Sequence, residues 1–222
     1  MTSEELYYEI HLLVNKNNSQ QNINIEKPHF VQLFNREYDK WLYEVLNNKN
    51  KDNSINDIQE LLITGVELDI LENKEDYNVY KLPLNFFNYS ESKVVATKNN
   101  CNKKLFVYNI HPKEINVYVQ DEFSKPSFEW EETIATVSNN KLFVYKSDFE
   151  ISKCLLSYYR DTEDIELEGY IKLNGEYSKN IDIDLSDVYK RQILDRVAKE
   201  INREFENTQA FQLSQERLQS EH

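Results

Sequence analysis

Glycine is nearly missing from this chain: Gly65, Gly169 and Gly175 are the three in 222 residues. Loops that cradle phosphate place several glycines close together so that backbone N–H groups can approach the ligand. Neither GxGxxG nor GxxxxGK[ST] occurs, which argues against a dinucleotide enzyme or a P-loop NTPase. Cysteine is scarce as well. Cys101 and Cys154 lie far apart and form no CxxC pair, which fits a reducing compartment, with a single disulfide left open. The four histidines, His11, His29, His111 and His222, stand in separate segments without HxxxH or HExxH spacing, so no metal site is expected. No GxSxG occurs and no cysteine has a nucleophile context. Catalytic, cofactor-binding and metal-ligating residues are therefore all expected to be none.

Positive charge is in short supply too. Lys and Arg total 26 against 39 Asp and Glu, a formal net charge of −13, and no basic run exceeds a pair. Phosphate contacts need a basic face, so a general nucleic-acid or membrane-surface binder is disfavoured. No apolar run approaches the ~20 residues of a membrane span. The opening "MTSEELYYEI" lacks the basic and apolar regions of a signal peptide. These features read as a soluble, intracellularly made protein. Its 40% hydrophobic and 13% aromatic content predicts a folded chain.

The pattern begins helical. Thr2 and Glu5 make a capping box, with Leu6, Ile10, Leu13 and Val14 on one face behind it. A second helix is predicted from Pro28, with Phe30, Phe34, Tyr38, Trp41, Leu42 and Val45 as its stripe. Ser54 is read as the cap of a short third helix, with Ile58, Leu61 and Leu62 inward, closing near Gly65.

From about Val66 the period becomes alternating. "LFVYNI" and "INVYVQ" around "HPKE" read as a hairpin, and "SFEWEETIATV" and "KLFVYKS" around "SNN" as a second. "ISKCLLSYY" reads as a strand. "IELEGYIKL" alternates at Ile165, Leu167, Ile171 and Leu173 and runs into Asn174-Gly175, a strong turn signal. The acidic "DIDLSD" is read as a helix N-terminus, where negative charge favours the dipole. Ile193, Leu194, Val197, Ala198, Ile201 and Phe205 then form a helical stripe over 187–206, and a polar tail follows. The predicted fold is α+β: an N-terminal helical region (1–65), a central antiparallel β-sandwich or partly open barrel (66–185), and a C-terminal helix with an extended interaction tail (186–222).

The densest cluster of chemistry is "PSFEWEE". In an extended strand Phe128, Trp130 and Ile134 would point one way, and Glu129, Glu131 and Thr133 the other. Glu129 and Glu131 would then lie about 7 Å apart, near enough for a glycosidase-like acid/base pair. The preferred reading is a solvated strand face opposite Phe128 and Trp130 as core anchors, because nothing nearby supplies a second catalytic element. The tail residues Phe211, Leu213 and Leu218 could bury too little surface alone to offset the ordering of their segment. With Phe205 and Arg217 they are predicted to meet a neighbouring subunit or ring.

Four segments together carry a resemblance: "HFVQLFNREYDKWLYEVL", "DEFSKPSFEWEE", "YYRDTEDIELEGYIKLNGEYSKNIDIDLSD" and "QILDRVAKEINREFENTQAFQLSQERL". They resemble the head-to-tail connector (ring or adaptor) proteins of crAss-like short-tailed phages. The resemblance implies a structural virion protein and not an enzyme. It implies a homo-oligomeric ring, typically of twelve copies, in the tail/neck region, stacked with the portal protein and neighbouring ring and tail proteins and assembled in the host cytoplasm. Such a ring is a conduit for DNA retention and ejection. The acidic composition fits a channel wall along which DNA slides without sequence-specific binding. A head fibre or decoration protein is the alternative virion role, and a glycoside hydrolase using Glu129 and Glu131 the enzymatic one.

Overall fold

A computed structural model describes residues 1–15, 23–47 and 56–220, with side chains described for 1–15, 23–46 and 59–205. The chain divides into two compact units, one made of Met1–Glu60 with Thr162–His222 and the other of Leu61–Asp161. The first unit is thus discontinuous. Segment 162–185, expected as part of the β domain, belongs with the helices.

In the helical unit, α1 (Ser3–Asn15) starts at the capping box that the sequence announces. Thr2 N–H donates to Glu5 Oε2 at 2.8 Å, and Glu5 N–H donates to Thr2 Oγ1 at 3.2 Å. Leu6, Ile10 and Val14 are buried. On α2 (Lys27–Asn47), Phe30, Phe34, Tyr38, Trp41, Leu42 and Leu46 form the buried stripe. The long C-terminal helix α4 (Asp187–Ser220) packs against both, with Ile193, Leu194, Val197 and Ile201 buried. It opens on Asp187, whose carboxylate favours the positive end of the helix dipole. The helix runs to Ser220, past residue 206 and through the segment expected to be an extended tail.

Segment 162–185 is held mainly by side chains rather than by a strand ladder. Asn35 brackets Ile165, accepting from its N–H at 3.0 Å and donating to its carbonyl at 3.2 Å. Ile165, Leu167, Ile183 and Leu185 are buried. Single antiparallel bridges join Glu166 to Ile181 and Ile171 to Tyr177. At the tip, Gly175 N–H donates to the Lys172 carbonyl at 2.9 Å, and Gly175 takes the left-handed φ of +84°. Asn174-Gly175 thus turns the chain as expected, with glycine in the bulge position of a longer loop. Ile171 and Leu173, which alternate with polar residues in the sequence, are exposed, as is Tyr177.

The second unit is one eight-stranded sheet: β1 (Leu62–Glu67), β2 (Ile70–Asn73), β3 (Tyr77–Lys81), β4 (Phe86–Lys98), β5 (Cys101–Asn109), β6 (Glu132–Ser138), β7 (Lys141–Tyr145) and β8 (Glu150–Arg160). The strand order is β1-β8-β4-β5-β6-β7-β3-β2. Its first and last strands are consecutive in the chain, joined only by Leu68 and Asp69. Three Cα steps separate Glu67 from Ile70, so the two margins lie within about 11 Å there. Leu68 N–H donates to the Cys154 carbonyl at 2.9 Å, and Lys81 N–H to the Asp69 carbonyl at 3.0 Å, tying the bend to both sides. The sheet is a partly open barrel around Tyr80, Leu82, Val94, Leu105, Leu142, Val144, Cys154 and Leu156. Burial pushes the Cys154 thiol up to about 12, and Cys101 is exposed; both are free.

Two hairpins turn on paired asparagines. Asn99 and Asn100 (φ 51° and 64°) join β4 to β5, and Asn139 and Asn140 (φ 50° and 56°) join β6 to β7, as "SNN" predicted. Positive φ at both central residues matches the strand twist, and asparagine tolerates it well. The "HPKE" hairpin is not formed. His111 Nδ1 accepts from Lys113 N–H at 3.2 Å and caps a 3₁₀ turn, Pro112–Glu114, which leads into α3 (Ile115–Gln120). The chain crosses over through 110–131, so β5 and β6 pair in parallel, within an otherwise antiparallel sheet. A parallel pair needs such a crossover. Ser54 lies outside the described residues. Asn56–Leu61 is a 3₁₀ turn, and Gly65, expected to close a helix, sits in β1 with φ +68° beside a register shift. Among the described residues no helix is long and apolar enough to cross a membrane.

Candidate functional site

The crossover that lets β5 and β6 run parallel lies against the outer face of that pair. Its second half is "DEFSKPSFEWE", and it is not a strand. Asp121 closes the first turn, accepting at its carbonyl from Lys125 N–H at 3.0 Å and at Oδ2 from Ser124 Oγ at 2.6 Å. Ser127 and Glu132 then exchange both backbone hydrogen bonds, at 2.9 and 3.1 Å. Residues 128–131 form a tight loop between them. Trp130 N–H donates to Ser127 Oγ at 3.2 Å, and Glu131 sits at φ +60°. The reversal sends Phe128 and Trp130 to different fates. Phe128 is 6% exposed and anchors the core beside Phe149, as expected. Trp130, expected as its partner in the core, is 59% exposed.

The glutamates are therefore not neighbours on a strand face. Glu129 and Glu131 are each held by a different lysine. Lys98 donates to Glu129 and to Asp148, both at 2.6 Å, and Lys103 pairs with Glu131 at 3.1 Å. Both ammonium groups lie over the Phe128 ring, at 6.0 and 5.2 Å from its centroid. The Lys98 hydrogen bond holds Glu129 and Asp148 below the ordinary carboxylate range, and those two carboxylates, Asp148 first, raise Lys98. A glycosidase general acid needs the opposite shift, a carboxyl kept protonated.

What the crossover assembles instead is an aromatic surface. Phe106, Tyr108, Phe123 and Trp130 are all more than half exposed. The Phe123 and Trp130 rings stack with centroids 6.3 Å apart and an interplanar angle of 28°. Val117 and Val119 on α3 are exposed beside them in the chain. A cleft of about 280 Å³ opens here, lined by Tyr108, Tyr118, Phe123, Ser124, Glu132, Thr133 and Ile134. The parallel register places Phe106 beside Glu132 and Tyr108 beside Ile134, so these four side chains share one face. Of the residues lining this cleft, Thr133 and Ile134 are legible in the sequence only as parts of a strand, and Trp130 beside it only as a core anchor. Residues 106, 108, 118 and 123 meet through the crossover, which leaves no periodic signal.

The remaining candidates are dispersed. Phe205 lies on α4 and is partly exposed. The side chains of Phe211, Leu213, Arg217 and Leu218 lie outside the described residues, as does His222. His11 packs edge-on against Tyr7, and His29 Nε2 lies 3.3 Å from Glu204. In "DIDLSD" and the residues before it, Asp182 accepts from Ser3 N–H at 2.6 Å and Ser3 Oγ at 2.8 Å, which lowers its pKa and ties α1 to the segment before α4. Among the described residues no group of three His, Cys, Asp or Glu could hold a metal ion. No protein-family model matches this chain, and no curated protein does either.

Proposed function

We propose that the protein is a structural subunit of a virion, one copy in a homo-oligomeric ring of the head-to-tail connector of a short-tailed phage. The observation that carries the assembly role is the aromatic surface of the β unit. Phe106 and Tyr108 on β5, with Phe123 and Trp130 on a crossover pinned by two ion pairs, are left open to solvent. Monomeric proteins rarely leave large apolar patches uncovered, and aromatic residues are enriched where subunits meet. A second exposed apolar spot, Ile171, Leu173 and Tyr177 at the 170–178 turn, gives the helical unit a contact point of its own. The virion setting rests on the likeness of the four sequence segments to connector proteins. The net charge of −13 suits a conduit along which DNA passes without adhering.

A ring requires one heterologous contact repeated around a closed axis. Single-particle images and native mass spectra of the purified chain, alone and co-expressed with a portal protein, test this. Closed rings, of about twelve copies on the likeness to connector proteins, are expected. A chain that remains monomeric in both preparations, or forms only trimers as a fibre or decoration protein would, overturns the proposal.

A further inference from the structure

One carboxylate on the aromatic surface pairs with no cation among the described residues. In "EWEE", Lys98 holds Glu129 and Lys103 holds Glu131. The Glu132 backbone exchanges hydrogen bonds with Ser127 and is in register with Phe106 of β5, and no cation among the described residues pairs with its side chain. That side chain is half-buried on the outer face of β6, in register with Phe106 and two residues before the buried Ile134. Tyr108, Tyr118 and Phe123 line the same cleft, and no Lys, Arg or His does.

The chemistry of this lining selects for charge. Aromatic faces carry the negative part of the ring quadrupole and attract an ammonium or guanidinium group, more so when water is excluded. A carboxylate among three rings adds an ion pair to that attraction. An anionic ligand meets repulsion from every side. A neutral partner covering the cleft would strip water from Glu132 and return nothing for its charge, which is costly. A basic side chain satisfies the carboxylate and the rings together, and about 280 Å³ admits a guanidinium with part of its methylene stem. The chain's charge of −13 also favours encounter with basic segments.

We propose that this cleft receives a basic side chain, arginine or lysine, presented on an exposed segment of a partner protein. Tyr108, Tyr118 and Phe123 supply cation–π contact, Glu132 supplies the ion pair, and Phe106 and Trp130 supply apolar contact at the rim. Every one of these residues comes from one chain, so the cleft forms whether or not the protein assembles into a ring.

The test titrates the full, isotopically labelled chain with two blocked peptides, Ac-Ala-Arg-Ala-Arg-Ala-NH₂ and the same peptide with citrulline for arginine. Citrulline keeps the shape and removes the charge. The arginine peptide is expected to shift the resonances of residues 108, 118, 123 and 132, and to bind at least about tenfold more tightly than its neutral counterpart. Glu132→Gln should weaken it by a similar factor. Glu72→Gln, which removes the same charge from β2, should not. Equal binding of the two peptides, or an unchanged affinity in Glu132→Gln, overturns the proposal. Choline chloride shifting the same resonances while both peptides fail would mark a small-molecule site and overturn the partner reading.

Discussion

Two aromatic clusters, one in each unit, are used in opposite ways. In the helical unit Phe30, Phe34, Tyr38 and Trp41 are all buried, and Trp41 meets Tyr189 of α4 at 5.3 Å between ring centroids. In the β unit Phe106, Tyr108, Phe123 and Trp130 stand exposed on or beside the crossover. A stripe at 3.6-residue spacing on one helix meets the stripe of another, so the chain supplies its own partner. A crossover on the outer face of a sheet has no second layer of the same unit above it. Its aromatics are left for something the chain does not provide. The contrast separates residues that hold the fold from residues available for recognition, and substitution can separate them too.

The largest effect is expected at Phe34, which is fully buried. Phe34→Ala should cost about 3–5 kcal/mol through the lost burial and the cavity left behind. Thermal or denaturant unfolding measures it, and a loss under about 1 kcal/mol would mean that this core is looser than its packing indicates. Trp130→Ala should behave differently. At 59% exposure its removal should change stability by about 0.5–1 kcal/mol at most, while ring formation is weakened or lost. A large drop in unfolding temperature would place Trp130 with Phe34 and dissolve the comparison.

The smallest effect concerns the lysine clamp. Glu129 and Asp148 are held below their ordinary pKa, so their contribution is present above the usual carboxylate range and is lost as pH falls through the lowered values, below about 4. Lys98 is raised, so its contribution is present below its ordinary value near 10.4 and is lost only as pH rises beyond that. The indole N–H resonance of Trp130 should therefore stay constant across the middle pH range and move in acid. Lys98→Met should shift that resonance already at neutral pH and flatten its acid response. An identical acid response in Lys98→Met would show that the clamp does not position the loop.

The helical unit was largely legible in the sequence because its signals are local. A cap at Thr2 with Glu5 and a stripe from Phe30 to Leu42 need only neighbours within a few turns. The "SNN" hairpin was legible for the same reason. "SFEWEE" and "INVYVQ" were misread because a few alternating residues fit a strand as well as a turn or a short helix. What decides them lies elsewhere in the chain: the Ser127–Glu132 exchange, Lys98 and Lys103 from β4 and β5, and the cap from His111. Segment 162–185 misled through its alternation, when the partner that orders Ile165 is Asn35 on α2. The cleft was hidden because parallel pairing of β5 with β6 joins residues about 26 positions apart without a repeating pattern to announce it.

The interruption of the helical unit by the β unit has a consequence for birth on the ribosome. The apolar faces of α1 and α2 are complete once Asn47 has been made, yet α4, which packs against both, begins only at Asp187. At roughly 5–20 residues per second, the first two helices wait on the order of ten seconds for their third. The barrel waits too, since β1 pairs with β8, so Val66 meets Leu156 only after most of the chain has emerged. Neither unit can close early, and the nascent protein passes through a long interval in which both of its cores are unfinished. A chaperone that shields α1 and α2 during that interval should raise the yield of folded chain more than one acting after release.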